Sequence, residues 1–173
     1  MSFAAALPAG VQVFERGWLS SNNILLTDAE RATLVDSGYV AHATQTVALV
    51  SHALGARALD ELVNTHLHSD HCGGNAALQA HYPQLRTRIP PGLAEPVRQW
   101  REPELSYRPT GQSCPPFALS GLLVPGQTEH WAGAEWEVHA APGHDPHSVI
   151  LFCPEHRLLI SADALWENGF GVV

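Results

Sequence analysis

The sequence predicts an α/β fold, a layered sandwich, and three observations support this prediction. The length of 173 residues suits one domain, so we expect a single domain over residues 1–173. Hydrophobic residues make up 45% of the chain, as is typical of a globular core. Strand patterns come first, helical patterns follow and strand patterns return, with long connections between them. That order favours a layered sandwich over a simple repeating βαβ arrangement.

The first third of the chain holds three short runs rich in Val, Leu and Ile, separated by turn-forming residues. They predict an antiparallel meander of strands at Val11–Arg16, Asn23–Thr27 and Ala32–Asp36. Apolar residues then recur near helical spacing from Thr44 to Leu54, and Gly55 follows as a C-cap. We therefore expect a helix that packs on the sheet.

The middle third combines a strand, a polar stretch and a helix with a proline-rich segment. The predicted strand is Glu61–Thr65, the polar stretch is His66–His71, and the helix is Asn75–Tyr82, ended by Pro83. The segment Arg88–Phe117 shows no clean period and predicts irregular loops with one helix at Gly92–Trp100. A long segment of this kind in a compact domain indicates a functional lid or an insertion.

The last third returns to strand patterns. The predicted strands are Gly121–Val124, Trp136–Ala140, Val149–Cys153 and Leu158–Ser161. We expect the tryptophans of this chain to serve as core or lid aromatics rather than as a stacking platform for bases, and those considered are Trp100, Trp131, Trp136 and Trp166.

The charge of the chain narrows its partners. Seventeen acidic residues face nine basic ones, all of them Arg, and the formal net charge is -8. An acidic surface with scattered Arg residues disfavours nucleic acid and favours divalent cations. We expect no membrane partner either, because no stretch approaches the ~18 apolar residues of a spanning helix and the N-terminus lacks the basic start of a secretory signal. The three Cys residues are widely spaced, which fits a reducing compartment, and the expected location is the cytoplasm.

The eleven His residues are an excess, and three of them lie with an aspartate between positions 66 and 71. Residues two apart in an extended segment point to the same side, so His66, His68 and Asp70 are expected to converge while His71 points elsewhere. Imidazole and carboxylate groups suit Zn²⁺, and also Fe or Mn. The lack of paired Cys favours a catalytic metal site with an open position over a closed structural one.

The segment Thr65–Asn75, THLHSDHCGGN, resembles the metal-binding motif of the metallo-β-lactamase fold hydrolases, and it is similar to the glyoxalase II and lactonase branches. Three more stretches resemble family motifs: the aspartate turn Leu34–Gly38, the second histidine motif Ala141–His144 and the bridging aspartate motif Ser161–Asp163. The resemblance spans residues 11–165. It implies an αββα metallo-β-lactamase-type sandwich, of which this chain holds the N-terminal portion.

By resemblance, the site holds two divalent metal ions, with Zn²⁺ as the default and Fe or Mn as alternatives. The first ion would be bound by His66, His68 and His144, the second by Asp70 and His71, and Asp163 would bridge both. The implied activity is attack by a metal-bound hydroxide on a small ester, thioester, lactone or lactam. Asp70 would also act catalytically, orienting the nucleophile or receiving its proton.

The sequence departs from the family pattern in two ways. Relatives carry a further histidine ligand in a C-terminal half, whereas this sequence stops at Val173. We therefore expect an incomplete C-terminus, a weak second metal site, and exposed apolar surface that favours a homo-oligomer. In addition, His147 stands where relatives have a glycine, and it projects either toward the site or out to solvent.

For Asp36 and Cys72, which lie near the motifs, the sequence allows two structural roles each. Asp36 either hydrogen-bonds a ligand or loop backbone or simply forms a turn. Cys72 is either a weak metal neighbour or a small buried residue. The remaining histidines are expected to be solvated or merely hydrogen-bonded, and they are His42, His52, His81, His130, His139 and His156.

Two alternatives to the metallo-hydrolase stay open. The first is a mononuclear iron dioxygenase of sulfur compounds, which would use His66 or His68 with His144 and Asp163. The second is an inactive, truncated metal-binding fragment that serves as a partner subunit. The hydrolase and the dioxygenase both imply a small-molecule substrate.

Overall fold

The fold is described from a computed structural model that covers residues 6–17, 20–105 and 107–165. Within these ranges the chain forms a mixed α/β sandwich, as the sequence predicts. The strands are β1 (Val11–Phe14), β2 (Asn23–Thr27), β3 (Ala32–Val35), β4 (Glu61–Val63), β5 (Arg86–Ile89), β6 (Gly121–Leu122), β7 (Thr128–Trp131), β8 (Ala134–Ala140), β9 (Val149–Cys153) and β10 (Leu158–Ile160). The α-helices are α1 (Ala43–Leu54), α2 (Ser69–Cys72), α3 (Asn75–His81), α4 (Ala94–Arg98) and α5 (Glu102–Leu105).

The ten strands form two sheets. The first has the order β1-β2-β3-β4-β5-β6, and its first three strands form the expected antiparallel meander. From β3 onward the strands run parallel, and helices return the chain between β3, β4 and β5. The second sheet is antiparallel with the order β10-β9-β8-β7.

Three apolar clusters stack the layers. The first lies between the sheets and joins Val35 and Val63 of the first sheet to Trp136 and Leu151 of the second. The second packs α1 and α3 on the outer face of the first sheet. The third fills one end of the molecule around α4, α5 and the loop that carries Cys72. The described residues therefore form helix, sheet and sheet layers in sequence.

Three of the four tryptophans considered pack in the apolar clusters between or beside these layers. Trp131 and Trp136 are buried between the sheets, and Trp100 packs against the third cluster. Trp166 lies outside the described residues. No helix in the described part of the chain is long and apolar enough to cross a bilayer.

The proline-rich segment contains more order than its composition predicts. The prediction of irregular loops from Arg88 is wrong, because Arg86–Ile89 forms β5, paired with β4 and β6. The two arginines of this strand hide its pattern. Arg88 nevertheless reaches the space between the sheets, where its guanidinium pairs with Glu61, at 3.2 Å, and with Glu129. The predicted helix Gly92–Trp100 is a single turn of 3₁₀ helix followed by the short α4.

Two adjacent glycines let α2 and α3 lie against the loop that follows β3. A Cβ atom on Gly73 would lie 2.5 Å from the backbone nitrogen of Val40, and one on Gly74 would lie 2.6 Å from the carbonyl oxygen of Ser37. Side chains do not fit at such distances. This close approach brings the end of β3 next to the histidine-rich loop.

Candidate metal centre

Three segments from the two sheets meet at one edge of the sandwich. His66 and His68 follow β4, at the carboxyl end of a parallel strand, and the chain then turns into α2, which carries Asp70 and His71. His144 lies in the loop between β8 and β9, and Asp163 lies in a 3₁₀ turn after β10. Each predicted site residue is therefore present at the same edge.

These side chains fall into two sets that share one carboxylate. The donor atoms within each set lie within 4.8 Å of one another, and the sets are His66, His68, His144 and Asp163, and Asp70, His71 and Asp163. The two oxygens of Asp163 face different sets. Oδ2 lies 3.2 Å from Nε2 of His144, and Oδ1 lies 3.3 Å from Nε2 of His71.

The grouping corrects one expectation. The alternation of an extended segment predicts Asp70 beside His66 and His68, with His71 apart, but Asp70 instead joins His71. The reason is local backbone geometry, since Ser69–Cys72 is a helical turn rather than an extended segment. Successive side chains on a helix diverge by about 100° rather than 180°, so neighbouring residues can serve one set.

Buried ring nitrogens test whether the sets suit a cation. Nε2 of His66 and Nε2 of His71 are buried and make no well-formed hydrogen bond in the described part of the chain, although oxygens of Asp163 lie 3.9 and 3.3 Å from them. Nε2 of His144 and Nδ1 of His68 lie 2.9 Å apart, within hydrogen-bond distance of each other, in the same set as His66. Leaving buried polar atoms unpaired costs about 1–3 kcal/mol each. Imidazole and carboxylate donors so arranged fit a divalent cation such as Zn²⁺.

Electrostatics differs between the two sets. Burial, reinforced by the neighbouring His71 and His68, lowers the pKa of His66 to about 2, so its ring is neutral and offers a lone pair. Burial also lowers the pKa of His68. For His71, burial alone would lower the pKa, but the carboxylates of Asp36 and Asp163 outweigh burial and raise it to about 10.

The carboxyl groups respond to the same surroundings. Burial raises the pKa of Asp70 above its usual range, although His71 acts against it. Burial would also raise the pKa of Asp163, but the neighbouring His71 ring, whose Nε2 lies 3.3 Å from Oδ1, lowers it overall. Asp163 therefore stays ionised to lower pH than Asp70, and Asp70 accepts a proton more readily.

Asp36 supports His71 from behind the second set. Its Oδ2 lies 2.7 Å from Nδ1 of His71, and the backbone N–H and hydroxyl of Thr65 donate to its two oxygens at 2.9 and 2.8 Å. Asp36 also adopts a left-handed conformation with φ 59° as the chain leaves β3. Both interpretations drawn from the sequence therefore apply, since the residue turns the chain and fixes the ring of His71.

A buried polar network that sequence reasoning missed holds the backbone of the same loop. The carbonyl of His71 accepts from the backbone N–H of Ser37 at 2.7 Å and from the side-chain amide of Asn64 at 2.9 Å. Asn75 links the two, because its Oδ1 accepts from Ser37 Oγ and its Nδ2 donates to Asn64, each at 2.7 Å. The polar side chains that flank the histidine motif were the available signal.

The remaining candidates lie away from the two sets. Cys72 is fully buried in the third cluster, where its Sγ contacts the Tyr107 hydroxyl, so it is a small buried residue. His147 is exposed, and its ring packs on Gly92 so closely that a Cβ atom there would lie 2.1 Å from Nδ1. The six background histidines are all exposed, as expected.

A layered α/β sandwich that gathers His and Asp side chains at one edge of its sheets defines a class of metal-site proteins. The sequence profile of the metallo-beta-lactamase superfamily matches residues 16–173, and the chain belongs to that superfamily.

Several curated proteins that are similar to this chain are named as hydrolases. A hydroxyacylglutathione hydrolase from Synechococcus sp. (strain JA-3-3Ab) is 29% identical over 146 residues, which cover 74% of this chain and 47% of the relative. The chain thus spans about half the length of the curated relatives it matches.

Solved structures share the fold. A metallo-beta-lactamase with a HARLDQ motif from Cronobacter sakazakii is 25% identical with a TM-score of 0.64, over 85% of this chain and 58% of that one. A metallo-beta-lactamase family protein from Thermus thermophilus superposes with a TM-score of 0.75 at 24% identity, over 96% of this chain and 63% of the other. The latter supports the fold alone.

Proposed function

We propose that the chain is the metal-binding part of a hydrolase that cleaves a small thioester, ester, lactone or lactam. The observation that carries this proposal is the pair of donor sets joined by Asp163, with buried Nε2 atoms on His66 and His71 that make no well-formed hydrogen bond among the described residues. The names of the relatives favour a thioester, since several are hydroxyacylglutathione hydrolases. The proposal includes two divalent ions, with Zn²⁺ as the default.

Each of the two donor sets would bind one of the two metal ions. His66, His68 and His144 would hold the first ion and Asp70 and His71 the second, while each oxygen of Asp163 faces one set. Bound divalent ions would supply an activated water at neutral pH and polarise the scissile carbonyl. The first set has four donors and the second has three among the described residues, so we propose that the second ion binds more weakly.

Asp70 is the proposed acid–base residue. Its Oδ2 lies 3.6 Å from Nε2 of His71, at the mouth of the second set, and its side chain is partly exposed. Because burial raises the pKa of this carboxyl, it accepts a proton more readily than an ordinary aspartate and can return that proton to a leaving group. Asp36 orients the ring of His71 and belongs to neither donor set.

The mononuclear iron dioxygenase has weaker support. It would use one donor set and leave no role for Asp70 and His71, although Asp36 orients the ring of His71 toward the second set. No described contact favours it over the hydrolase.

A metal and turnover experiment tests the proposal. We would load the chain with Zn²⁺, measure bound metal by plasma mass spectrometry, and assay a hydroxyacylglutathione thioester, an aryl ester, a lactone and a β-lactam. We expect the double variant His66→Ala/His68→Ala to lose the first equivalent of zinc and at least 100-fold in turnover, as loss of the metal would cause. The matched control is His156→Ala, an exposed histidine in a turn between β9 and β10.

The outcome is decisive in either direction. Zinc content and turnover that survive in the double variant contradict the proposal. Bound iron together with oxygen consumption on a persulfide would instead support the dioxygenase. A chain that binds zinc but hydrolyses none of the four substrate classes would support the metal-binding fragment.

A further inference from the structure

Two cysteine side chains meet directly behind the histidine-rich loop. Sγ of Cys72 lies 3.7 Å from Sγ of Cys114, and the hydroxyl of Tyr107 lies 3.2 Å from Sγ of Cys72. The third cysteine, Cys153, is in β9 and buried between the sheets, in a different apolar cluster. All three are free thiols. Nothing in the proposed hydrolytic site uses this pair.

The two thiols differ in access. Cys72 is fully buried, whereas Cys114 is only partly buried and lies in a segment without helix or strand between Gly111 and Gly121. Hydrogen bonding from Cys72 lowers the pKa of the Cys114 thiol despite the opposing effect of burial. An oxidant from solvent therefore meets Cys114 first, and a partner thiol stands behind it.

Cys72 contacts the backbone of His68, a residue of the first donor set. Its Sγ lies 3.3 Å from the carbonyl oxygen of His68, one of several acceptors within reach of its single S–H, and its backbone N–H donates to the same carbonyl at 3.1 Å. A disulfide requires the sulfur atoms to approach from 3.7 Å to about 2.05 Å, and it removes the S–H donor. Cys114 lies outside any helix or strand, and we expect the new bond to shift Cys72 relative to the carbonyl of His68.

We propose that Cys72 and Cys114 are a redox modification site, at which a hydroperoxide drives formation of a disulfide that weakens cation binding at His68. The second part of this inference rests on the proposed metal site. The first part does not, because it concerns only the two sulfur atoms.

The chemistry balances in two steps. The Cys114 thiolate attacks one oxygen of the hydroperoxide, so that an S–O bond forms, the O–O bond breaks and an alkoxide or hydroxide leaves with the proton of the thiol. The sulfur of Cys72 then attacks the sulfur of Cys114, forming S–S and breaking S–O, and the departing hydroxide leaves as water with the proton of Cys72. Two thiols and one hydroperoxide thus yield a disulfide, an alcohol or water, and a second water.

Intact-mass measurement tests the disulfide. The reduced chain would be treated with stoichiometric hydrogen peroxide, unfolded in an alkylating reagent and weighed. We expect three alkyl groups on the reduced chain, which has three free thiols, and one on the oxidised chain, on Cys153. Peptide mapping should show a Cys72 to Cys114 crosslink within one chain. The control Cys114→Ser keeps a hydrogen-bonding side chain and should give no crosslink; Cys114→Ala is the second choice if the serine variant fails to fold.

Zinc affinity tests the coupling. In a competition with a chromophoric chelator, oxidation should weaken Zn²⁺ binding by about tenfold, as loss of a contact that orients a ligand commonly does. Dithiothreitol should restore the affinity, and Cys114→Ser should show no response to peroxide. A disulfide that leaves zinc affinity unchanged overturns the coupling.

Three results overturn the modification site itself: three alkyl groups after peroxide treatment, a sulfinic acid on Cys114 without a crosslink, or a crosslink only between two chains. If the reduced chain binds no zinc, the proposed metal site fails, while the mass measurement still decides the fate of the two thiols.

Discussion

The carboxylate of Asp36 determines which ring nitrogen of His71 faces the proposed metal site. Asp36 accepts the Nδ1 proton of His71, so Nε2 is the nitrogen that faces Asp70 and Asp163. Such carboxylate and histidine pairs fix the orientation of the ring and increase its basicity as a ligand. The contribution of Asp36 therefore reaches the cation through His71, without direct contact.

Replacing Asp36 by asparagine removes the negative charge and replaces one acceptor oxygen, opposite the backbone N–H of Thr65 or the ring of His71, by an amide donor. Asparagine tolerates the left-handed backbone at this position, where φ is 59°, and it keeps one acceptor oxygen. We expect Asp36→Asn to fold and to bind the second equivalent of Zn²⁺ about tenfold more weakly. Competition titration with a chelator measures this loss.

The control for this variant is Asp28→Asn, in an exposed turn where the carboxylate accepts from the backbone of Glu30 and Arg31. It should leave zinc binding unchanged. Equal affinities in Asp36→Asn and the unmodified chain would show that the carboxylate of Asp36 has no influence on the site.

The residue scale also shows how far sequence reasoning extends. The resemblance to the family motif implies both the clustered residues and the grouping of Asp70 with His71, whereas the alternation of an extended segment misplaces Asp70. Asp70 joins His71 because four residues form a helical turn, which neither the pattern nor the spacing announces. Asn64 and Asn75 escape detection because buried amides acquire partners only when distant segments meet.

At the level of elements, the position of the histidine loop depends on how closely α2 and α3 approach the chain after β3. Gly73 and Gly74 permit this approach, since a Cβ atom on either would overlap backbone atoms of Val40 or Ser37. Backbone atoms cannot move aside as the end of a flexible side chain can. The loop and the end of β3 can therefore be in contact only because neither glycine carries a side chain.

Adding one methyl group at Gly73 should therefore be costly. We expect Gly73→Ala to reduce the free energy of unfolding by about 2–3 kcal/mol, in the upper part of the range for overpacking, and to weaken zinc binding by displacing α2. Denaturant titration followed by circular dichroism measures the stability. The matched control is Gly121→Ala in β6, where the nearest atom would lie at 3.4 Å, an ordinary contact. A loss of stability in the control as large as in Gly73→Ala would refute the steric explanation.

The strands and helices were predictable where local pattern and tertiary environment agree. Asn23–Thr27 and Val149–Cys153 match the predicted bounds, and α1 begins one residue before the predicted start. The strand at Arg86–Ile89 was missed because Arg88 is stabilised by Glu61 and Glu129 from other strands. Thr128–Trp131 was missed because polar residues dominate this edge strand and leave little apolar pattern to detect.

For the whole molecule, the proposed metal sites join two sheets. His66, His68, Asp70 and His71 belong to loops of the first sheet, whereas His144 and Asp163 belong to loops of the second. A cation bound by both groups would act as a crosslink between the layers. Binding energy that exists only in the folded state adds directly to stability.

Zinc should therefore raise the melting temperature. At a free Zn²⁺ concentration of 100 times the Kd, the gain is about 2.7 kcal/mol, which for a chain of this size corresponds to about 5–10 °C. Differential scanning fluorimetry with and without a chelator measures the shift. Asp163→Ala, which removes the shared carboxylate, should lose most of the shift, while His156→Ala should keep it. An undiminished shift in Asp163→Ala would mean that zinc binds elsewhere.

An open cleft of about 370 Å³ separates parts of the two sheets beside His71 and Asp163. Apolar side chains line much of it, and at its outer end Leu159 and Leu165 are 42% and 63% exposed. Exposed apolar surface of this kind favours association, so self-association of the chain stays a prediction. Sedimentation at several concentrations would decide it.

The contact of His147 with Gly92 has a practical consequence for engineering this protein. The ring of His147, three residues after His144, lies against Gly92, and a Cβ atom at Gly92 would displace that ring. A mutant library that randomises the segment in search of new substrates should therefore hold Gly92 constant. Variation at exposed positions such as Gln99, Arg101 and Arg108 then leaves the third apolar cluster intact.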